Sequence, residues 1–349
     1  MVKGSAPKVL NFFPLESSFI AEAEKFKKAV QASNSILISS TLTSDGDSIG
    51  AQLGIWNVIK GLKGSQKGLV IVNESPVPER YRFLKGTDQI QSFESFQKQK
   101  NRPLFDYGVT CDGGTERTGV VAPLFESIPG AALIDHHAVG SQRQYSARLL
   151  NIEASSTCEI VYLLHEYFEL EVPPEIAESL YVGIVFDTGF FKHSLTKPLT
   201  HLVASRLIST GIDFSKISDR AILERSWEAQ LLLKAMLDNM ERSRDGRVIV
   251  SHWSQAEIEK IGVKDGDQEG MINQLYHTDS VEVVALLTER DSKHVKVSFR
   301  SKGKVNVAEL ARSLDPDGGG HIRAAGCSLH LSLAEAKKAV LSKIDRVLT

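Results

Sequence analysis

The feature that most constrains this chain is a junction that recurs along it: a short apolar run, an acidic or imidazole cluster, then helical periodicity. Ser35-Ile-Leu-Ile-Ser39 leads into Ser44-Asp45-Gly46-Asp47, after which Ile49, Leu53 and Trp56 mark an amphipathic helix ended by Gly61 and Gly64. Tyr107-Gly-Val-Thr-Cys111 leads into Asp112-Gly113-Gly114, and Ala131-Ala-Leu-Ile134 into Asp135-His136-His137. Leu69–Val72 is a further strand-like run. Phe19, Ala23, Phe26 and Val30 form one face of an N-terminal helix, and residues 158–168 and 176–186 read as helices, the second running into Phe186-Asp187-Thr188-Gly189. Short buried strands alternating with helices predict an α/β fold with a mostly parallel sheet covered on both faces.

After Asp213 the pattern changes. Residues Ile222 to Met240 read as one long amphipathic helix, and Arg247–Val250, Val281–Leu287 and Val295–Phe299 as strands of a smaller α+β unit. Val307–Arg312 and Leu333–Leu348 read as helices there, with Ser332 placed to cap the last. The expected division is a first domain over 1–215, a helical linker over 216–235 and a second domain over 236–349. A fifth cluster, Gly318-Gly319-Gly320-His321, falls in the second domain.

Charge narrows the function classes. There are 41 Lys+Arg against 43 Asp+Glu, whereas a protein that tracks long nucleic acid carries a basic stripe. Any nucleic-acid substrate is therefore expected to be short. Cys111, Cys158 and Cys327 form no CxxC pair and read as buried reduced thiols. No apolar run reaches the roughly 18 residues needed to span a bilayer. The segment before Phe13 has Lys3 and Lys8 but no signal-peptide core, so the expected location is the cytoplasm, with no membrane partner.

In open parallel sheets, ligands bind at the C-terminal ends of the strands, where the first three clusters sit. Asp45, Asp47, Asp112, Asp135 and Asp187 gathered in one crevice would repel one another, and divalent cations resolve that repulsion. A carboxylate–imidazole mixture suits Mn²⁺, Fe²⁺, Co²⁺ or Zn²⁺, and an all-oxygen set suits Mg²⁺. Gly46 permits a tight loop from which two carboxylates can reach neighbouring ions; two ions about 3.5–4 Å apart would activate water and clamp a phosphoryl group. Each motif alone has an ordinary reading: a turn, a loop or a helix cap. Their ordered recurrence after strands argues for one shared site.

On these residues the sequence resembles the DHH phosphoesterase superfamily, named for the Asp135-His136-His137 signature. The run from Gly318 to Gly326 resembles the signature of the accessory DHHA1 domain. The pairing is similar to the nanoRNase/pAp-phosphatase branch, oligoribonucleases of the NrnA type, as are Arg80-Tyr-Arg-Phe-Leu84 and Asp112-Gly-Gly-Thr-Glu-Arg117. The resemblance implies two divalent ions, Mn²⁺ foremost, with Mg²⁺ or Co²⁺ as alternatives. It implies that Asp45 binds the first ion, that Asp47, His136 and Asp187 bind the second, and that Asp112 bridges them. Asp135 would orient His136, and His137 would stabilise charge at the scissile phosphate. Arg117, Arg300, Ser301 and His321 would contact the rest of the substrate, with the backbone N–H groups of Gly318, Gly319 and Gly320 adding an anion-binding concavity.

The implied activity is hydrolysis of 5′-phosphorylated di- to tetranucleotides of RNA to mononucleotides, with 3′-phosphoadenosine 5′-phosphate (pAp) as a second substrate. A cyclic or linear dinucleotide phosphodiesterase and a non-catalytic nucleotide binder are the alternatives. A homodimer is expected by analogy only. One departure stands out: Thr41 occupies the position, four before Asp45, where the family's first motif opens with a histidine. A hydroxyl is a poorer ligand, so the first ion should bind weakly through Asp45, Asp112 and water. That would shift preference toward Mg²⁺ or redirect activity, with His193 a candidate substitute.

Overall fold

The apolar runs read as strands form one parallel sheet in the first of two compact units, Met1–Glu224 and Arg225–Thr349. The computed structural model describes residues 8–138, 143–264, 266–268 and 270–348. The first unit's strands are β1 (Ile36–Ser39), β2 (Leu69–Asn73), β3 (Ile90–Ser92), β4 (Tyr107–Cys111), β5 (Ala131–Asp135) and β6 (Ala147–Leu150), in the order β3-β2-β1-β4-β5-β6. All five pairings are parallel. Strands β4 and β5 are buried at every position, and their sequences are mostly apolar rather than alternating. The winding reverses between β1 and β4, and ligand crevices form outside the carboxyl ends of strands at such a switch point.

The unit's helices are α1 (Ser17–Ala32), α2 (Gly46–Lys63), α3 (Phe93–Gln97), α4 (Ala122–Glu126), α5 (Thr157–Tyr167), α6 (Pro174–Asp187), α7 (Pro198–Ile208) and α8 (Phe214–Ser218). Helix α2 carries glycine at every fourth position, Gly46, Gly50 and Gly54, on one face. A Cβ on Gly50 would lie 2.3 Å from the Ser179 carbonyl oxygen of α6, and one on Gly54 would lie 2.7 Å from Leu180 Cδ2. Their bareness is what lets α2 and α6 lie nearly backbone to backbone. That close approach brings the two ends that carry Asp47 and Asp187 together.

The second unit holds a six-stranded sheet: β7 (Glu241–Arg242), β8 (Val248–Trp253), β9 (Val283–Asp291), β10 (His294–Ser301), β11 (Gly319–His321) and β12 (Ala324–Leu329), ordered β11-β12-β10-β9-β8-β7. The β8–β9 pair is parallel and the other pairings are antiparallel. Alternate residues serve opposite cores. Val248 and Val250 join Val283, Ala285 and Leu287 beneath α12 (Val307–Leu314) and α13 (Leu333–Leu348), while Ile249, Val284 and Leu286 join the core of α9 (Trp227–Asp238), α10 (Gln255–Ile261) and α11 (Ile272–Tyr276). Ser332 caps α13 as expected, its Oγ accepting from Glu335 N and donating to Glu335 Oε2.

The long helix expected from Ile222 to Met240 is not continuous. A π-helical turn covers Asp219–Leu223, Glu224 is extended, and α9 starts afresh at Trp227 with Ser226 Oγ accepting from Ala229 N. Helix α9 buries Ala229, Leu232 and Met236 in the second unit's core, and its carbonyls at Leu232 and Met236 accept from Trp253 Nε1 and Ser251 Oγ. Helix α9, which overlaps the linker expected over 216–235, falls in the second unit. No helix among the described residues is long and apolar enough to cross a membrane. All three cysteines are buried and free.

Candidate active site

The junctions read from the sequence converge at the C-terminal edge of the parallel sheet. Asp45 is the N-cap of α2, its Oδ1 accepting from Asp47 N and Ser48 N at 3.0 Å each. Asp47, in the first turn, is fully buried. Its two carboxylate oxygens accept from the first two backbone N–H groups of α5, Thr157 N at 2.8 Å and Cys158 N at 2.9 Å. A helix N-terminus offers unpaired donors and positive potential, so it fixes this carboxylate in orientation while leaving lone pairs for a cation. Gly183 on α6 leaves the room: a Cβ there would lie 2.8 Å from Asp47 Oδ1 and 2.3 Å from Cys158 Sγ.

Asp112 follows β4 in the left-handed region, φ 59°, which Asp tolerates better than most residues. Gly113 beside it has φ 145°, and a Cβ there would meet Thr41 Cγ2 at 2.8 Å. The backbone of this second junction is tied to the first, because Leu42 N donates to the Arg117 carbonyl. A buried amide pair supports the same loop: Gln52 and Asn73 bond each other reciprocally, and Asn73 Nδ2 also donates to Ser44 Oγ.

His136 is the hub. Its Nδ1 lies 3.4 Å from the Ala154 carbonyl, which assigns the ring hydrogen to that side. Nε2 then faces Asp187 Oδ2 at 3.0 Å, Asp112 Oδ1 at 3.9 Å and Asp47 Oδ2 at 4.0 Å. Among the described residues this buried nitrogen has no hydrogen-bond partner of acceptable angle. Three buried carboxylates converging on one imidazole carry more negative charge than a single ring can balance, and a divalent cation would relieve it. The donor set passes that test, with one imidazole and three carboxylates suited to a divalent transition ion. The side chains able to share an ion are Asp47, His136 and Asp187 in one group, and Asp112, His136 and His137 in another.

The electrostatics carry the same signature. Burial, then the charges of Asp47, Asp45 and Asp187, push Asp112 well above the usual carboxylate range, against the Ser48 bond. Burial and the Asp47 charge push Asp187 up to about 7, with His136 opposing. Burial also raises Asp45, aided by Asp47 and opposed by the Ser48 N–H. Burial works against a charged His136, yet the carboxylates of Asp187, Asp47 and Asp112 outweigh it and hold the ring up at about 10.

Among the described residues Asp135 bonds His137. Its Oδ1 accepts from His137 N at 3.0 Å and sits 2.8 Å from His137 Nδ1. The His137 ring, 39% exposed, packs edge-on against His136. His193 belongs to neither ligand group; its Nδ1 donates to the backbone carbonyl of Asp187 at 2.7 Å. Thr41 Oγ1 lies 3.2 Å from Ser48 Oγ, which donates to Asp112 Oδ2 at 2.5 Å. Ser48 was not singled out in the sequence; its signal there is a hydroxyl one residue past the Asp-Gly-Asp motif.

In the second unit, Ser301 is buried, its Oγ accepting from Gly303 N at 3.0 Å, and Arg300 is half-buried with Nη1 on the Phe299 carbonyl. Gly319, Gly320 and His321 form strand β11 at the edge of the sheet, paired with Gly326, Ala325 and Ala324. Gly318 N is taken by the Asp315 carbonyl. Exposed His321 lines a shallow hollow of about 520 Å³ with Gly303, Ile322 and Arg323. Arg323 lies within the Gly318–Gly326 run but was not singled out as a substrate contact. Arg117 is exposed on the first unit.

Comparison with known proteins agrees with the geometry. The DHH family, N-terminal domain, matches residues 35–184, and the DHHA1 domain matches residues 245–349. The chain is 27% identical, over 90% of both chains, to the bifunctional oligoribonuclease and PAP phosphatase NrnA of Thermus thermophilus. It is 26% identical to the cyclic-di-AMP phosphodiesterase PdeA of Listeria monocytogenes, over 95% of this chain and 51% of that one. The crystal structure of an exopolyphosphatase-related protein from Bacteroides fragilis superposes with a TM-score of 0.84 at 25% identity, covering 94% of this chain and 96% of the other. With both domains matched in order, and their Asp-His-His and carboxylate side chains gathered at one sheet edge, the chain belongs to the DHH/DHHA1 phosphoesterase superfamily.

Proposed function

We propose that this protein is a divalent-metal-dependent phosphodiesterase that hydrolyses 5′-phosphorylated di- to tetranucleotides of RNA to mononucleotides, and that it also removes the 3′-phosphate of pAp. The observation that carries the proposal is the convergence of three buried carboxylates, Asp47, Asp112 and Asp187, on His136 Nε2. These four residues would hold the cation, with Asp45 beside them. A cation bound there lowers the pKa of water and neutralises charge on phosphoryl oxygens.

The chain's own residues supply the rest. The N-terminus of α5 fixes the Asp47 carboxylate, and the Ala154 carbonyl fixes the His136 tautomer. Asp135 accepts from Nδ1 of His137 and so fixes the orientation of that ring beside the site. Arg323 and His321 in the second unit offer a cationic and imidazole surface of the kind that suits a nucleotide.

Two further observations favour a short oligonucleotide. The formal charge of −2 gives no excess for tracking a long backbone. The similarity to NrnA spans nine-tenths of that chain, whereas the similarity to PdeA spans about half. The test is incubation with 5′-labelled RNAs from two to about two dozen nucleotides, with pAp and cyclic-di-AMP in parallel, in Mn²⁺, Mg²⁺ or EDTA. Metal-dependent loss of the dinucleotide and of pAp, with little attack on the longest RNA, is expected. Faster cleavage of cyclic-di-AMP would favour the signalling phosphodiesterase reading, and equal attack on long RNA would overturn the short-substrate reading.

A further inference from the structure

The contact Thr41–Ser48–Asp112 has no part in the function proposed above. Ser48 is fully buried at the first turn of α2, and its single hydroxyl hydrogen is committed to Asp112 Oδ2 at 2.5 Å. Thr41, also buried, has its Oγ1 3.2 Å from Ser48 Oγ. Asp45 is drawn elsewhere, with Oδ1 accepting two N–H groups of its own helix. Both groups of side chains that could share an ion meet at His136, and Asp45 belongs to neither. Asp47 accepts hydrogen bonds too, but it converges with His136 and Asp187, whereas no group of the described side chains joins Asp45 to Asp112 around a neighbouring ion.

We propose that Thr41 and Ser48 form a hydroxyl relay that occupies Asp112 Oδ2, so that the free protein takes one divalent cation, at Asp47, His136 and Asp187, rather than two. The inference rests on the metal-dependent reading given above. A hydrogen bond to a charged carboxylate is worth about 1.5–3 kcal/mol, and the Ser48 hydroxyl takes one lone pair of Asp112 Oδ2 and weakens that oxygen as a ligand where no other side chain converges to compensate. Thr41 offers no nitrogen to make up the loss, and a hydroxyl is a poor ligand for a transition ion.

The test is calorimetric titration of the full chain with Mn²⁺, read alongside the electron paramagnetic resonance of the bound ion. Wild type should take up one equivalent and show the spectrum of an isolated Mn²⁺. Ser48→Ala frees the Asp112 oxygen and should tighten a second equivalent by about tenfold. The double variant Thr41→His with Ser48→Ala should show the exchange-coupled spectrum of an ion pair. Two tight equivalents in wild type would overturn the inference and leave the phosphoesterase reading intact. A Ser48→Ala variant that folds, by its thermal transition, yet titrates like wild type would overturn the relay. No uptake of Mn²⁺ at all would overturn the metal-dependent reading and this inference together.

Discussion

The Asp135 carboxylate serves His137: one oxygen accepts both the backbone N–H and the ring Nδ1 of that residue, at 3.0 and 2.8 Å. An Asp bonding the N–H two residues on is a local turn, and here it aims an imidazole at the same time. Asp135 lies outside both ligand groups, so its effect on catalysis should be separable from metal binding. Asp135→Asn is expected to lower kcat by about a hundredfold, because an amide can present its N–H to Nδ1 and select the wrong tautomer. Mn²⁺ affinity measured by calorimetry should stay within about threefold of wild type. A parallel loss of metal affinity would place Asp135 with the ligands instead.

Metal uptake should be coupled to proton release. In the metal-free protein His136 is held up at about 10 and Asp187 at about 7. At neutral pH the ring therefore carries a proton that a cation must displace, and below pH 7 a second proton must leave Asp187. Apparent Mn²⁺ affinity is expected to rise about tenfold per pH unit above neutrality and more steeply below it. Titration in weakly buffered solution with a pH indicator reads the released protons directly. An affinity that stays flat between about pH 6 and pH 9 would contradict the electrostatic account of the site.

The spacing of α2 and α6 should matter for both stability and metal binding. A Cβ at Gly50 would sit 2.3 Å from a backbone oxygen, which cannot swing aside as a side-chain tip could. Gly50→Ala is expected to cost about 3 kcal/mol and to lower Tm by roughly 10 °C. Because Asp47 and Asp187 are carried by these two helices, Mn²⁺ affinity should fall as well. Gly64→Ala is the control: its Cβ meets nothing, and only the positive φ of 66° opposes it, at about 1 kcal/mol. Equal effects at the two positions would remove the helix-spacing argument.

Much of this site was legible because it is local. Except for Asp187, which ends helix α6, the carboxylates and imidazoles of the site end or follow a strand, as at Cys111–Asp112 and Asp135–His136, so one sheet topology gathers them. What escaped the sequence is nonlocal. The bonds from Thr157 and Cys158 to Asp47 span 110 and 111 residues, and that from Ser48 to Asp112 spans 64. No spacing rule links such partners. Strand β3, three residues long, was too short to show a period, and Gly319-Gly320-His321 has turn composition although pairing with β12 makes it a strand. The helix expected to join the domains failed for a different reason. The apolar period continues across the π-helical turn and the extended Glu224, and only the Ser226 cap signals the restart.

The most direct test of the central claim is cleavage of a 5′-phosphorylated RNA dinucleotide as a function of added Mn²⁺, in wild type and in His136→Ala. The site geometry predicts a rate that rises with Mn²⁺, vanishes in EDTA and falls by about a thousandfold or more in the variant, since three carboxylates lose their common centre. A wild-type rate indifferent to EDTA, or a His136→Ala protein that retains its activity, would contradict the account.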